Sequence, residues 1–176
     1  MKPNALKALR VAATLSILAG ASGLLIAGTD LLTKTIIEQN RIANIKKNLS
    51  KVFPDADFGD GVKLSGDDYL TDYYPASLHD GEDGRVYACS GTNQYGGVSI
   101  LIGVYSDFTL GKMVVLENSE SYGSTLQSNY LDKYDAATDG ASREEALYDV
   151  NCGATYGATM VRDMVLEAVS HYKEGK

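Results

Sequence analysis

The chain has 176 residues, the length of one ordinary domain with room for a short appendage, which excludes a multidomain enzyme. Hydrophobic residues make up 44% and charged residues 22% of it, so it is neither disordered nor collagen-like. Sixteen Lys and Arg against 23 Asp and Glu give a net charge of −7, which argues against a nucleic-acid partner.

The first predicted element is the stretch Val11–Thr29, which carries no charged residue. As a helix rising ~1.5 Å per residue it spans about 28 Å, enough for the ~30 Å core of a bilayer. Lys2, Lys7 and Arg10 precede it, so a cleaved signal peptide is an alternative, and a core helix is another. We expect a retained membrane anchor because a helix-like apolar pattern continues to Pro54 without a clean cleavage boundary.

The anchor divides the chain into three predicted segments. Residues 1–29 form a basic tail and transmembrane helix, residues 30–54 a helical stalk, and residues 55–176 the main domain. From Asp30 onward the formal charge is −10. Basic residues flank the span on both sides, so their count alone does not fix its orientation. We expect a cytoplasmic N-terminus and an extracytoplasmic main domain, because the first ten residues are basic without any acidic residue.

The main domain is predicted to be α+β, with strands in the middle and helices after them. The stretch 55–84 is rich in Asp, Gly and Tyr without a sustained period, which predicts loops with short strands. Its acidic runs do not match the EF-hand pattern. Enrichment in β-branched and aromatic residues predicts three strands, over 85–90, 98–105 and 112–117, with a hairpin over 107–111.

Three helices follow in the prediction. The first covers 126–134, and the second starts at a capping box of Ser142 and Glu145 and ends near Tyr148. The third is the amphipathic C-terminal segment. Its apolar face comprises Met160, Val161, Met164, Val165, Ala168, Val169 and Tyr172.

Standard catalytic patterns are mostly absent. The chain contains no HExxH, CxxC, P-loop or GxSxG motif, which argues against a zinc protease or a P-loop ATPase. His79 and His171 are expected at the surface. Cys89 and Cys152 are too few for a four-ligand zinc site, and we treat both as thiols.

The informative stretch is 149–156, which leads directly into the C-terminal helix. Gly153 and Ala154 minimise side-chain bulk where the N–H groups and dipole of a helix N-terminus favour a phosphate. Thr155 adds a hydroxyl there. From the residues alone, Thr155 is either an ordinary N-cap or the point at which a phosphorylated ligand is held.

This stretch resembles a motif of the FMN-binding subunits of the Rnf electron-transport complex (its G subunit) and of the sodium-pumping NADH:quinone oxidoreductase (its C subunit). Those proteins carry FMN on the threonine of D-x-x-[S/T]-G-A-T through a phosphoester. Asp149 and the run 153–155 match, while Cys152 stands where Ser or Thr is usual and places a thiol beside the cofactor. The second Gly-Ala-Thr, at 157–159, lacks the Asp, so the resemblance assigns the bond to Thr155.

Three further stretches carry the resemblance, namely the span that runs into Leu31-Leu32-Thr33-Lys34 and two loops. One is similar to a Gly-Tyr-Gly-Gly element and the other to a Glu-Thr-Pro-Gly-Leu-Gly loop, and both are implied to flank the isoalloxazine of covalent FMN. The residues so assigned are Tyr95, Gly96 and Gly97 in the first, and Glu120, Ser121 and Gly123 in the second, where Tyr122 replaces the usual proline.

The resemblance implies a redox subunit of an ion-translocating ferredoxin:NAD complex in the cell membrane, rather than an independent enzyme. Its implied partners are multi-span membrane subunits and a flavin transferase that loads FMN, and the coupling ion is sodium or a proton. Two alternatives remain: a stand-alone membrane-anchored flavoprotein reductase, and an anchored binding or scaffold protein without flavin.

Overall fold

The computed structural model describes residues 3–79 and 81–175, without the side chains at 3–6, 31 and 32. Lys2 of the predicted basic tail lies outside the described residues. The chain divides into two compact units, Met1–Ala43 and Asn44–Lys176.

The first unit is helical and belongs to helix α1, Pro3–Val52. The charge-free stretch lies within α1, and the Thr14 and Thr29 hydroxyls donate to backbone carbonyls four residues earlier, so their polar groups are satisfied inside the helix. The described residues thus contain one helix that is long and apolar enough to cross a membrane. The predicted helix is confirmed, whereas its retention and orientation stay predictions.

The second unit begins inside the predicted stalk. Ile45, Leu49 and Val52 of α1 and the following Phe53 are buried in a hydrophobic cluster with the sheet. The last turns of the segment 30–54 therefore belong to the core of the second unit.

An antiparallel sheet forms the centre of the second unit. Its described strands run in the order β1-β3-β4-β5-β6, and β2 pairs with β3 as well. The strands are β1 Asp57–Phe58, β2 Val62–Lys63, β3 Leu70–Ser77, β4 Asp83–Asn93, β5 Gly96–Tyr105 and β6 Leu110–Asn118. The three predicted middle strands and their hairpin are confirmed.

Strand β3 is longer than the sequence indicates. Its inward positions alternate regularly, but one of them is Asp72, and Pro75 interrupts the run. Both residues are rare inside strands, so they conceal the period of two that normally marks one.

The helices follow the sheet in the chain. They are α2 Gly123–Leu126, a π-helical turn Gln127–Leu131, α3 Asp132–Ala136, α4 Gly140–Tyr148 and α5 Thr155–Lys173. The predicted capping box is wrong, because the N-cap of α4 is Asp139, whose carboxylate accepts the Ser142 N–H at 2.7 Å. That hydrogen bond lowers the pKa of Asp139.

Both faces of the sheet are covered, which gives the α+β main domain three layers. Ile100 and Ile102 of β5 face the cluster that contains α5, whereas Leu101 between them faces the cluster at the end of α1. The apolar face of α5 is confirmed, since Met164 and Val165 are fully buried. A strand buried on both faces carries a continuous apolar run, as β5 does.

The expectation that His171 lies at the surface is wrong. The side chain is 5% exposed, and its Nδ1 lies 3.1 Å from the hydroxyl of Tyr87 on β4. The last turn of α5 still packs on the sheet, so position 171 continues the buried stripe of Met164 and Ala168. Cys89 and Cys152 are buried free thiols, and burial raises the pKa of Cys89.

Replacing Phe53 tests the packing of the α1 end on the sheet. Its ring lies against Gly84 and Gly103 and 5.0 Å from the Tyr105 ring, so Phe53→Ala leaves a cavity that costs about 3–5 kcal/mol of unfolding free energy. Urea unfolding in detergent, followed by tyrosine circular dichroism, measures the loss. The exposed neighbour Lys51→Ala is the control and changes stability by less than about 0.5 kcal/mol.

Alkaline pH is expected to destabilise the fold. Burial raises the pKa of Tyr87 to about 12, against about 10 in an unfolded chain. Folding thus favours the protonated hydroxyl, so its contribution is full below pH 10 and is lost as the pH rises toward 12. Urea midpoints measured between pH 8 and 12 should fall in this window, and Tyr87→Phe should show a shallower fall than the parent chain.

Candidate functional site

A cavity of about 300 Å³ lies at the N-terminus of α5. The β4–β5 turn, the segment after β6 and the loop before α5 meet there. The lining residues are Tyr95, Glu120, Tyr122, Gly153, Ala154, Thr155, Tyr156 and Gly157.

Hydrogen bonds hold the segment after β6 against the β4–β5 turn. The Ser121 N–H donates to the Tyr95 carbonyl at 2.7 Å, and the Ser121 hydroxyl donates to the same oxygen at 3.1 Å. Gly96 has a φ of +140°, and a Cβ there would lie 2.7 Å from the Cα of Glu120. Position 96 therefore needs glycine, both for its backbone conformation and for the close approach of Glu120.

Glu120 presents a buried carboxylate to the cavity, with 8% of the residue exposed. Its Oε1 accepts a hydrogen bond from the Asn93 side-chain amide. Its Oε2 lies against Gly157, where a Cβ would collide with it, and accepts no hydrogen bond from the residues that the structure describes. One oxygen of a buried carboxylate is thus available to a ligand.

The first turn of α5 offers unpaired donors. Gly153, with a φ of +89°, turns the chain into the helix, and the first intrahelical bond runs from the Ala158 N–H to the Ala154 carbonyl at 3.0 Å. Within the described part of the chain, the N–H groups at positions 155–157 have no acceptor.

Thr155 is the first residue of α5 and is exposed. The interpretation of Thr155 as an N-cap is wrong, because Ala154 holds the cap position and no side chain caps the helix. The Thr155 hydroxyl makes no hydrogen bond with another described residue, so it is free to react or to bind.

Three tyrosine rings surround the cavity mouth. The Tyr95 ring lies 5.3 Å from that of Tyr122 and 5.6 Å from that of Tyr156, between centroids. Tyr122 is 51% and Tyr156 61% exposed. Tyr122 and Tyr156 are not among the residues that the resemblance assigns to the site, although each lies directly beside an assigned residue in the sequence.

A second cavity, also about 300 Å³, adjoins the first across Thr155 and Tyr156, which line both. Its other lining residues are Tyr69, Thr92, Asn93, Thr159, Met160 and Asp163. Arg162 pairs with Asp163 at 2.7 Å. Neither lining includes a lysine or an arginine, so Glu120 and Asp163 supply the charged side chains of this region.

The structure brings some of the sequence-assigned residues together and separates others. Tyr95, Glu120, Gly153, Ala154 and Thr155 line one cavity. Gly96 and Gly97 begin β5, Gly123 begins α2, and Ser121 lies in the segment after β6, so these four residues adjoin the cavity without lining it. Asp149 lies outside the lining, because it follows the end of α4 and pairs with Lys133 at 3.3 Å. Cys152 is buried behind the loop, where its carbonyl accepts from the Asn129 amide.

No group of three or more metal-ligating side chains occurs in residues 3–79 and 81–175. A scan against models of known protein families found no match to this chain. A search among curated proteins found no match either.

The variant Gly157→Ala tests whether the Glu120 carboxylate occupies the space beside the first turn of α5. In an unhindered helix this change is stabilising by up to ~1 kcal/mol. Here the new methyl group displaces the Glu120 carboxylate and its hydrogen bond with Asn93, so the free energy of unfolding should fall by about 0.5–1.5 kcal/mol in urea titrations.

The same change in a Glu120→Ala background is the matched control. With the carboxylate absent, Gly157→Ala should be neutral or stabilising. An equal loss in both backgrounds would show that Glu120 does not occupy this space.

Proposed function

We propose that this chain is the membrane-anchored flavin subunit of an Rnf-type electron-transport complex, carrying FMN in a phosphoester bond to Thr155. The observation that carries the proposal is the cavity at the start of α5, where the three segments that resemble such subunits converge. α1 holds the flavin domain at the membrane, where multi-span partner subunits exchange electrons with it.

The residues present fit a phosphate. The N–H groups at positions 155–157 point out of the first turn of a 19-residue helix, where the backbone dipole favours an anion. The exposed Thr155 hydroxyl lies in the same turn, and Gly153 keeps side-chain bulk away from it. A flavin transferase can therefore reach the hydroxyl that it modifies.

The residues also fit the rest of FMN. Glu120 Oε2 would accept a hydrogen bond from a hydroxyl of the polyol chain, and the rings of Tyr95, Tyr122 and Tyr156 would offer faces and edges to the planar aromatic ring. The two adjoining cavities together reach the volume range of ordinary cofactor sites.

The charges around the cavity favour covalent attachment of FMN over free binding. A free phosphate would be held by backbone N–H groups alone, without a lysine or arginine in the lining and with the Glu120 carboxylate against the same helical turn. A bond to Thr155 retains the cofactor in spite of that repulsion. Outside the cytoplasm a dissociated cofactor would be lost.

When bound, FMN supplies one- and two-electron transfer. The chain supplies the tether, the contacts of the ring and the local electrostatic field. A stand-alone surface reductase would use the same site, and copurification of multi-span subunits with the chain distinguishes the complex subunit from it.

Thr155→Val is expected to abolish covalent flavin. The chain is coexpressed with a flavin transferase, denatured and examined for in-gel flavin fluorescence, which survives only if the bond is covalent. The matched control is Thr159→Val, since Thr159 ends the second Gly-Ala-Thr and lies one turn further along α5.

The proposal predicts fluorescent bands for the parent chain and for Thr159→Val, and a dark band for Thr155→Val. A dark parent band would contradict the flavin, and a bright Thr155→Val band would contradict the attachment site.

A further inference from the structure

Glu120 is a buried carboxylate without a cationic partner among the described residues, a feature that attachment of FMN does not require. Its carboxylate is buried in the wall of the cavity, and its hydrogen-bond partner is the neutral amide of Asn93 rather than a cation. The other acidic residue of the region, Asp163, differs, because Arg162 contacts it at 2.7 Å. Glu120 is therefore the uncompensated charge of the lining that the structure describes.

Hydrogen bonding and close packing position this carboxylate. The Cα of Glu120 lies against Gly96, its carboxylate lies against Gly157, and the Asn93 amide donates a hydrogen bond to Oε1. The Asn118 side chain accepts the Glu120 N–H at 3.3 Å and donates to the Gly123 carbonyl at 3.0 Å. The negative charge is thus fixed in place, as a group that tunes a ligand electrostatically must be.

We propose that Glu120 sets a low reduction potential for the flavin of this chain, an inference that rests on the proposed function. Adding two electrons and one proton to an isoalloxazine ring gives the ring one extra negative charge. A fixed like charge in the same partly desolvated cavity disfavours that product, so oxidised flavin is stabilised relative to reduced flavin. The half-charge of the α5 dipole offsets this effect only in part.

Redox titration of the full chain in detergent tests the proposal, with dithionite as reductant, a reference dye and flavin absorbance as the readout. Glu120→Gln keeps the shape and the acceptor oxygen for Asn93 but removes the charge. We expect it to raise the reduced-to-oxidised ratio at a fixed potential roughly tenfold, which is about 30 mV for a two-electron couple. Glu145→Gln, the same charge change at an exposed position of α4, is the matched control and should leave the potential unchanged.

A second pair of variants keeps the test decisive if Glu120→Gln does not take up flavin. Tyr122 lines the cavity and is half exposed, so Tyr122→Lys adds a cation beside an intact Glu120, and Tyr122→Gln removes the ring without adding charge. The lysine variant should have the higher potential of the two.

The outcomes separate the two proposals. Two results would overturn the role of Glu120 and leave the proposed function standing. One is a bound flavin in Glu120→Gln with the same potential as in the parent chain, and the other is an equal potential in Tyr122→Lys and Tyr122→Gln. A parent chain without flavin in the denaturing gel overturns both.

Discussion

The contact between the Glu120 carboxylate and the first turn of α5 is the constraint on which the candidate site depends. It fixes the segment after β6 against the C-terminal helix, and the Asn93 amide ties the same carboxylate to the end of β4. Three regions that are distant in sequence therefore meet at one cavity. Glycine is required at position 96 by its positive φ and by the close approach of the Ser119 carbonyl and the Glu120 Cα, whereas a side chain at position 157 would displace the Glu120 carboxylate.

The site is built from backbone donors and a carboxylate instead of the usual cationic side chains. Free N–H groups at 155–157 favour an anion, whereas Glu120 in the same place disfavours one. A phosphorylated ligand bound through a covalent bond to Thr155 tolerates this combination, and a freely exchanging one would be held weakly. The two proposals depend on the same charges, because these charges bear on both the proposed attachment and the proposed potential of FMN.

Elements with a clear period could be predicted from the sequence, and those decided by single side chains could not. β5 and α5 show continuous apolar or helical patterns, and both are confirmed. The period of β3 was obscured by Asp72 and Pro75. The N-cap of α4 is Asp139, because its carboxylate competes for the Ser142 N–H better than the Glu145 side chain of the expected capping box. At the site, Gly153, Ala154 and Thr155 of the motif line one cavity with Tyr95 and Glu120, whereas Asp149 and Cys152 lie outside its lining. The tyrosine cluster needed the three-dimensional contacts.

Mass spectrometry of the chain purified from membranes is the most direct test of covalent FMN on Thr155. Trypsin releases residues 144–162 as one peptide that contains both Thr155 and Thr159, and fragmentation that preserves the phosphoester distinguishes between them. Covalent attachment at Thr155 predicts that this peptide carries one FMN group on that residue. An unmodified peptide, or FMN on Thr159, would contradict it.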